Sequence, residues 1–227
     1  MGNVFREFES TRSLGASRED VCEAMRRLER QGLNCGTAGN ASVRAASGIL
    51  ITPSGVKPGD LTPESIVFMP ECSEVFDDNA RPSSEWRFHK DILAFREDVG
   101  AVVHVHSAHA TALACHRRDI PAFHYMIAVA GGDSIRCAPY ATFGTQQLSD
   151  RVLEALEDRR ACLLSNHGMI ALGNTLQEAV DLAVEVEELA KQYALAVMIG
   201  EPAILRKDEM NEALKRFEDY GALRGES

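Results

Sequence analysis

Apolar residues recur at three- and four-residue intervals in six stretches of the chain, which is the spacing of amphipathic helices. The first stretch has Ser17 at an N-cap position and carries Val21 and Leu28 on one face. In the fifth and longest stretch, Thr175 and Glu178 have the spacing of a capping box. The pattern predicts helices over residues 17–31, 85–96, 109–116, 146–157, 175–197 and 208–220.

Short apolar runs between glycine, proline and serine residues predict strands. Two strands flank a turn in GTAGNASVRAASGILITPSG, one covers residues 102–105, and two more surround the turn in ACLLSNHGMIAL. The segment CAPYATFGT has no clear period and is interpreted as irregular. Because strands and helices are interspersed without repeating βαβ units, the pattern predicts an α/β fold. Its expected architecture is a mixed, largely antiparallel central sheet that is covered by helices.

Composition and charge narrow the class of protein. The 227 residues are 45% hydrophobic and contain no repeat or linker, so one domain over residues 1–227 is expected. A formal net charge of −10 argues against a nucleic-acid or anionic-membrane partner. The sequence has neither a bilayer-spanning apolar run nor the apolar centre of a signal peptide near its start. Six scattered cysteines without C-x-x-C spacing favour reduced thiols in the cytoplasm over a disulfide framework.

The run AVVHVHSAH, residues 101–109, places two histidines within an apolar strand. Residues two apart on a strand point to the same face, so the imidazoles of His104 and His106 project to one side. Two neutral imidazoles on one side make half of a site that suits zinc, copper, iron or nickel. A pair of histidines on a half-exposed strand, with no metal, is the alternative interpretation.

A third histidine and one acid extend this candidate site. His167 lies at a turn between two apolar runs, where side chains at strand ends face clefts. Three histidines leave one position of a tetrahedral zinc ion open, as in catalytic zinc sites. Glu85, at the start of a predicted helix, either complements the helix dipole or acts as a general base beside the metal. Taken alone, His167 is also explained as a turn residue that binds backbone groups.

Three loops rich in small residues predict a pocket for an anion. The loops Gly36–Asn40 and Thr52–Gly55 offer hydroxyl groups and exposed amides, and Ser83 and Ser84 add a helix N-terminus. Each loop alone is explained as a plain turn. Together with an open metal site, the three loops indicate a phosphorylated small molecule as the substrate.

These motifs, in this order, resemble the class II aldolase/adducin family, and most closely its zinc-dependent L-fuculose-1-phosphate aldolases. The similarity runs through GLNCGTAGNASVR, GILITPSGVKP, PSSEWRFH, AVVHVHSAHATAL, IPAFHYMIAVAGGDSIRCAPYATFGT, LLSNHGMIAL and FEDYG. It implies a three-layer sandwich and one zinc ion per subunit, held by His104, His106 and His167. It also implies that Glu85 moves a proton at carbon and occupies the fourth zinc position when no substrate is bound.

The resemblance assigns further residues by position. Tyr125 of a neighbouring subunit is implied to exchange a proton with the aldehyde oxygen, Tyr220 to help close the site, and Phe143 to lie near the substrate. The implied assembly is a homotetramer with active sites between subunits. The residues implied to bind the phosphate are Thr37, Gly39, Asn40, Ser54, Gly55, Ser83 and Ser84.

Several competing functions stay open at this point. An aldolase for 5-deoxyribulose 1-phosphate or 5-methylthioribulose 1-phosphate shares every catalytic residue. Ribulose-5-phosphate 4-epimerases of the family carry aspartate at the position of Glu85, so PSSE favours an aldolase. A non-catalytic, adducin-like binding domain would not need three histidines and this acid. A generic three-histidine zinc lyase or a cupin would explain His-x-His but not the phosphate loops.

Overall fold

The computed structural model describes residues 16–71 and 81–224, and side chains in the last helix as far as residue 217. The helices are α1 (Arg18–Arg30), α2 (Trp86–Phe95), α3 (Ala108–Ala114), α4 (Gln146–Ala155), α5 (Leu176–Ile199) and α6 (Lys207–Arg224). The strands are β1 (Asn40–Ala45), β2 (Gly48–Ile51), β3 (Val67–Pro70), β4 (Ala101–Val105), β5 (Ile120–Pro121), β6 (Ser134–Ala138), β7 (Ala161–Leu164) and β8 (Gly168–Gly173).

The eight strands form one sheet in the order β3-β2-β1-β4-β8-β7-β6-β5. All described pairings are antiparallel except that of β6 with β7. Helices α1, α3 and α5 pack on one face of the sheet, whereas α2 and α4 pack on the other. The expected mixed, largely antiparallel sheet between helical layers is therefore confirmed.

The central strands are buried on both faces, and this explains their nearly continuous apolar sequences. In β4, Val103 and Val105 belong to the core beneath α5, while Val102 belongs to the core beneath α2. His104 lies on the α2 side, with its ring centre 5.6 Å from that of Phe88. The apolar run thus places one imidazole inside the molecule, at the end of a central strand.

Most predicted elements are present, and the differences have physical causes. The six helices and the five strands from residues 40–51, 101–105 and 161–173 form close to their expected positions. Strands β3, β5 and β6 were not expected from the pattern. β6 covers the beginning of the segment interpreted as irregular, because parallel pairing with β7 supplies its order. Among the described residues, no helix has the length and apolar character needed to cross a membrane.

Candidate active site

Four predicted side chains converge where β4, the turn before β8 and the start of α2 meet. Glu85 is the N-cap residue of α2, and His104 is the penultimate residue of β4. One potential ligand atom from each of Glu85, His104, His106 and His167 lies within 4.8 Å of the others. The four residues come from three separate segments, so the cluster exists only in the folded chain.

The donor chemistry of this cluster fits a metal ion. His104 donates a hydrogen bond from Nδ1 to the carbonyl oxygen of Met169 at 2.9 Å, which leaves Nε2 facing the cluster. That Nε2 lies 2.9 Å from Nε2 of His106 and 3.2 Å from Oε2 of Glu85. Oε1 of Glu85 is buried and has no hydrogen-bond partner, and it lies 3.2 Å from Nε2 of His167. Three nitrogens and a carboxylate at these distances could hold zinc or a similar divalent ion.

The pKa values in the cluster follow from burial and from the opposite charges within it. Burial would raise the pKa of the Glu85 carboxyl, but His104 above all, with His167 and Asn40, holds it well below its usual range. Burial opposes protonation of His104, yet the Glu85 carboxylate outweighs burial and raises the pKa of that imidazole. When His104 is protonated, these two residues form an ion pair.

The other two imidazoles are poor bases. Burial, together with the charge on His104, lowers the pKa of His106 and of His167 to about 4 each. Both rings are therefore neutral near pH 7 and have a lone pair available for a metal. Because the ligands must be deprotonated, metal binding should release the proton that His104 holds.

The cluster opens into a cavity of about 330 Å³, a size suited to a small ligand. Glu85, His106 and His167 line it, whereas His104 lies completely buried behind them. Every residue of the predicted phosphate pocket also lines this cavity: Thr37, Gly39, Asn40, Ser54, Gly55, Ser83 and Ser84. The structure thus brings the predicted anion loops and the predicted metal ligands into one space.

Two glycines let the backbone approach the site closely. Gly39 has a φ of +76°, and a Cβ there would lie 2.3 Å from the side chain of Asn34. That asparagine in turn accepts a hydrogen bond from the backbone N–H of His106 through Oδ1. At Gly168, a Cβ would lie 2.4 Å from the carbonyl oxygen of Val105. Larger residues at either position would push apart the segments that carry the candidate ligands.

Sequence reasoning missed part of the cavity wall. Phe143, 64% exposed, lines the cavity as expected, but so do Tyr140, which is 49% exposed, and Asn166. Asn166 has a positive φ of 56°, and Oδ1 of its side chain accepts a hydrogen bond from Nε of Arg117. Two signals in the sequence could have identified these residues. Asn166 is next to His167, and Tyr140 lies three residues before Phe143.

Of the two predicted tyrosines, Tyr125 does not line this cavity within one chain. Tyr125 is 54% exposed and stacks on Phe217, with ring centres 6.4 Å apart. The two rings line a separate groove of about 490 Å³ between α6 and the 3-10 helix at residues 125–130. Tyr220 falls in the part of α6 whose side chains lie outside the described residues.

Comparison with known proteins gives one consistent result. Residues 19–194 match the family described as class II aldolase and adducin N-terminal domain. A 5-methylthioribulose-1-phosphate/5-deoxyribulose-1-phosphate aldolase of Rhodospirillum rubrum is 57% identical over 206 residues, which cover 91% of this chain and 93% of that protein. An L-fuculose phosphate aldolase of Escherichia coli is 49% identical over 203 residues, covering 89% and 93%. A solved L-fuculose 1-phosphate aldolase superposes with a TM-score of 0.85 at 39% identity, covering 91% of this chain and 100% of that one.

Proposed function

Because the chain belongs to the class II aldolase and adducin N-terminal domain family, we propose that it is a metal-dependent aldolase. The reaction is the reversible cleavage of a ketose 1-phosphate to dihydroxyacetone phosphate and an aldehyde. One observation carries this proposal. The Glu85, His104, His106 and His167 cluster lines, or lies directly behind, the same cavity as the three anion loops. In that arrangement, a sugar phosphate bound by the loops would share one cavity with the metal and the base.

Different residues of the chain bind the phosphate and transfer the proton. Amides and hydroxyls of the anion loops bind the phosphate and thereby orient the carbon–carbon bond that breaks. In the synthetic direction, the Glu85 carboxylate takes a proton from the hydroxymethyl carbon of dihydroxyacetone phosphate, and in the cleavage direction it returns that proton. When bound, the metal ion supplies a Lewis acid that stabilises the negative charge developing on the substrate oxygens.

We propose that the metal is zinc, one ion per chain, held by His104, His106 and His167. Imidazole ligands with an adjacent carboxylate support this choice, as does the orientation of His104 by Met169. Metal analysis of the purified protein and of His106→Ala tests the ligand set. The variant should lose most of its metal, whereas a full complement of metal would contradict the assignment.

We propose that the preferred substrate is a 5-deoxypentulose 1-phosphate, with or without a methylthio group. The relative with 57% identity is named for both of these substrates. Tyr140 and Phe143 add aromatic side chains to the cavity wall. An aldehyde end without a terminal hydroxyl suits such a surface. L-fuculose 1-phosphate is the second candidate, because the Escherichia coli relative is named for it.

A panel of phosphorylated ketoses tests this proposal. The panel consists of 5-deoxyribulose, 5-methylthioribulose and L-fuculose 1-phosphates, together with ribulose 5-phosphate. Release of dihydroxyacetone phosphate from one or more of the 1-phosphates supports an aldolase, and the highest kcat/KM identifies the preferred aldehyde. Epimerisation of ribulose 5-phosphate without cleavage of any 1-phosphate would identify an epimerase instead. Inactivity toward every compound with metal bound would favour a binding domain.

We also propose a homotetramer in which Tyr125 serves the active site of a neighbouring chain. Within one chain this tyrosine is half-exposed and outside the cavity, so it would act only across an interface. There it would exchange a proton with the hydroxyl oxygen that becomes the aldehyde. Exposed apolar side chains at and after the end of α5 support an assembly. They are Leu195, Val197, Met198, Ile199 and Ile204.

A further inference from the structure

Behind Glu85, a row of buried polar side chains crosses from β1 to α2. Asn40 and Ser42 are two residues apart on β1 and therefore face the same side of the sheet. Glu85 and His89 are one helical turn apart at the start of α2. Both His89 and Ser42 have no exposed surface, and neither lines the cavity. An explanation for a buried imidazole at this position must therefore come from its hydrogen bonds.

Three hydrogen bonds join these residues in series. Nδ2 of Asn40 donates to Oε2 of Glu85 at 3.0 Å. Oδ1 of Asn40 lies 2.5 Å from Nε2 of His89, and Nδ1 of His89 lies 2.8 Å from Oγ of Ser42. A carboxylate only accepts hydrogen bonds, so the amide nitrogen of Asn40 must face it and the amide oxygen must face the imidazole.

The remaining protons follow from this orientation. Nε2 of His89 carries a proton and donates it to Asn40, so Nδ1 of the neutral ring accepts a hydrogen bond from the hydroxyl group of Ser42. All three donors then point in one direction, toward the Glu85 carboxylate. A rotation of the amide by half a turn would place two acceptor oxygens, of Asn40 and Glu85, against each other.

We propose that His89 is a positioning residue for the reaction at Glu85, and that it acts by fixing the amide of Asn40. This inference rests on the proposed function, since it assigns His89 a part in the same proton transfer. A buried polar ring is costly unless it is hydrogen-bonded, and an apolar side chain would fill the same volume without that cost. The imidazole supplies what an apolar side chain cannot, a donor that defines which end of Asn40 faces the base.

A matched pair of serine variants separates positioning from simple stability. Ser42→Ala removes the hydroxyl group farthest from the cavity, and Ser149→Ala removes an equally buried hydroxyl group that donates to Asp91 on the opposite side of α2. Both variants should lose similar stability and keep their metal. Only Ser42→Ala should slow proton exchange between dihydroxyacetone phosphate and solvent, by about three- to tenfold. Equal exchange rates in the two variants would overturn the proposal.

Variants of His89 itself provide the stronger test. His89→Leu keeps an apolar volume but removes the donor, so the exchange rate should fall about 10- to 100-fold with metal retained. His89→Gln keeps an amide N–H near the position of Nε2 and should recover most of the lost rate. Equal losses in both variants would show that the position needs an imidazole for another reason and would overturn the proposal.

The protonation of the ring can be observed without any activity. In the wild-type protein with ¹⁵N-labelled histidine, the signals of His89 should show a proton on Nε2 and none on Nδ1. A proton on Nδ1 would overturn the inference. If wild-type protein failed to exchange the proton of dihydroxyacetone phosphate, the proposed function would fail, while this spectrum would still decide how His89 and Asn40 are oriented.

Discussion

At the scale of single residues, Glu85 shows how much the role of an acid at a helix start depends on the side chains around it. An acid at a helix start is ordinary, because it complements the helix dipole. Here its carboxylate contacts two imidazoles and the Asn40 amide, and its own side chain makes no capping bond. The sequence predicted the four residues of the cluster, because their types and motifs carry that information. His89 and Ser42 were not predicted, because a buried histidine in an amphipathic helix looks the same with or without a partner.

The titration of the histidines predicts an acid-sensitive fold for the metal-free protein. Burial, with the charge on His104, lowers the pKa of His89 to about 3 and those of His106 and His167 to about 4. In the unfolded chain the same rings titrate near 6.5, so between about pH 4 and 6.5 the unfolded state binds more protons. The free energy of unfolding should therefore fall as the pH is lowered from 7 to 4.5.

The raised pKa of His104 acts in the opposite direction, because its contribution is present at low pH and is lost as the pH rises. Because the pKa is lowered for three histidines and raised for one, the free energy of unfolding should on balance decrease as the pH is lowered. Urea titrations of the chelated protein at several pH values measure it. The double variant His106→Gln/His167→Gln should show a weaker pH dependence. An unchanged dependence in that variant would mean that the two imidazoles titrate normally in the folded protein.

At the scale of elements, the sequence pattern predicted the positions of helices better than the contacts made by their side chains. Thr175 is the N-cap residue of α5, and its hydroxyl group accepts a hydrogen bond from the N–H of Glu178, as the capping signature predicts. The carboxylate of Glu178, however, accepts from the N–H of Asn174 and not from the cap residue itself. Phe95 also has helical spacing with Phe88 and Ile92, yet it is 73% exposed. Periodicity thus predicted where the six α-helices and five of the eight strands lie, while tertiary contacts decided which side chains each end binds.

Glu187 of α5 provides a test at this scale, because it anchors the segment after His106. Its two carboxylate oxygens accept from the backbone N–H groups of His109 and Ala110 at 2.9 Å each. Glu187→Ala should lower the free energy of unfolding by about 2 kcal/mol, as expected for hydrogen bonds to a charged group. Denaturant titration measures this loss.

Glu188→Ala is the matched control, because that neighbouring glutamate is 49% exposed and pairs only with Lys191 and Gln192 among the described side chains. A surface ion pair of this kind contributes about 0–1 kcal/mol. Similar losses in the two variants would show that Glu187 does not hold the start of α3.

At the scale of the whole molecule, one chain has a cavity with the base and the metal ligands but without the proposed tyrosine. Tyr125 and the cavity lie in separate places of the same chain. A largely antiparallel sheet covered by helices was predictable from the pattern, because the layers depend on which faces are apolar. The strand order and the strands β3, β5 and β6 were not predicted. How chains assemble is not encoded in any periodicity, and the family resemblance is what suggested a tetramer.

Mixing two inactive variants tests the assembly. Tyr125→Phe chains keep Glu85, and Glu85→Gln chains keep Tyr125. If each site combines these residues from neighbouring chains, random co-assembly of equal amounts should restore about one quarter of the wild-type activity. Light scattering and mass spectrometry verify that mixed tetramers form. Activity that stays at the level of the two parents in verified mixed assemblies would exclude a role for Tyr125 across the interface.

The most direct test of Glu85 as the base measures the exchange of a single proton. Dihydroxyacetone phosphate is incubated in D₂O with the metal-loaded protein, and NMR measures loss of one hydrogen from its hydroxymethyl carbon. If Glu85 beside the metal ligands moves that proton, the wild-type protein exchanges it, and Glu85→Gln is slower by about 10²–10⁴-fold or more while it keeps its fold and most of its metal. Exchange by Glu85→Gln at a rate near that of the wild type would contradict the assignment of Glu85 as the base.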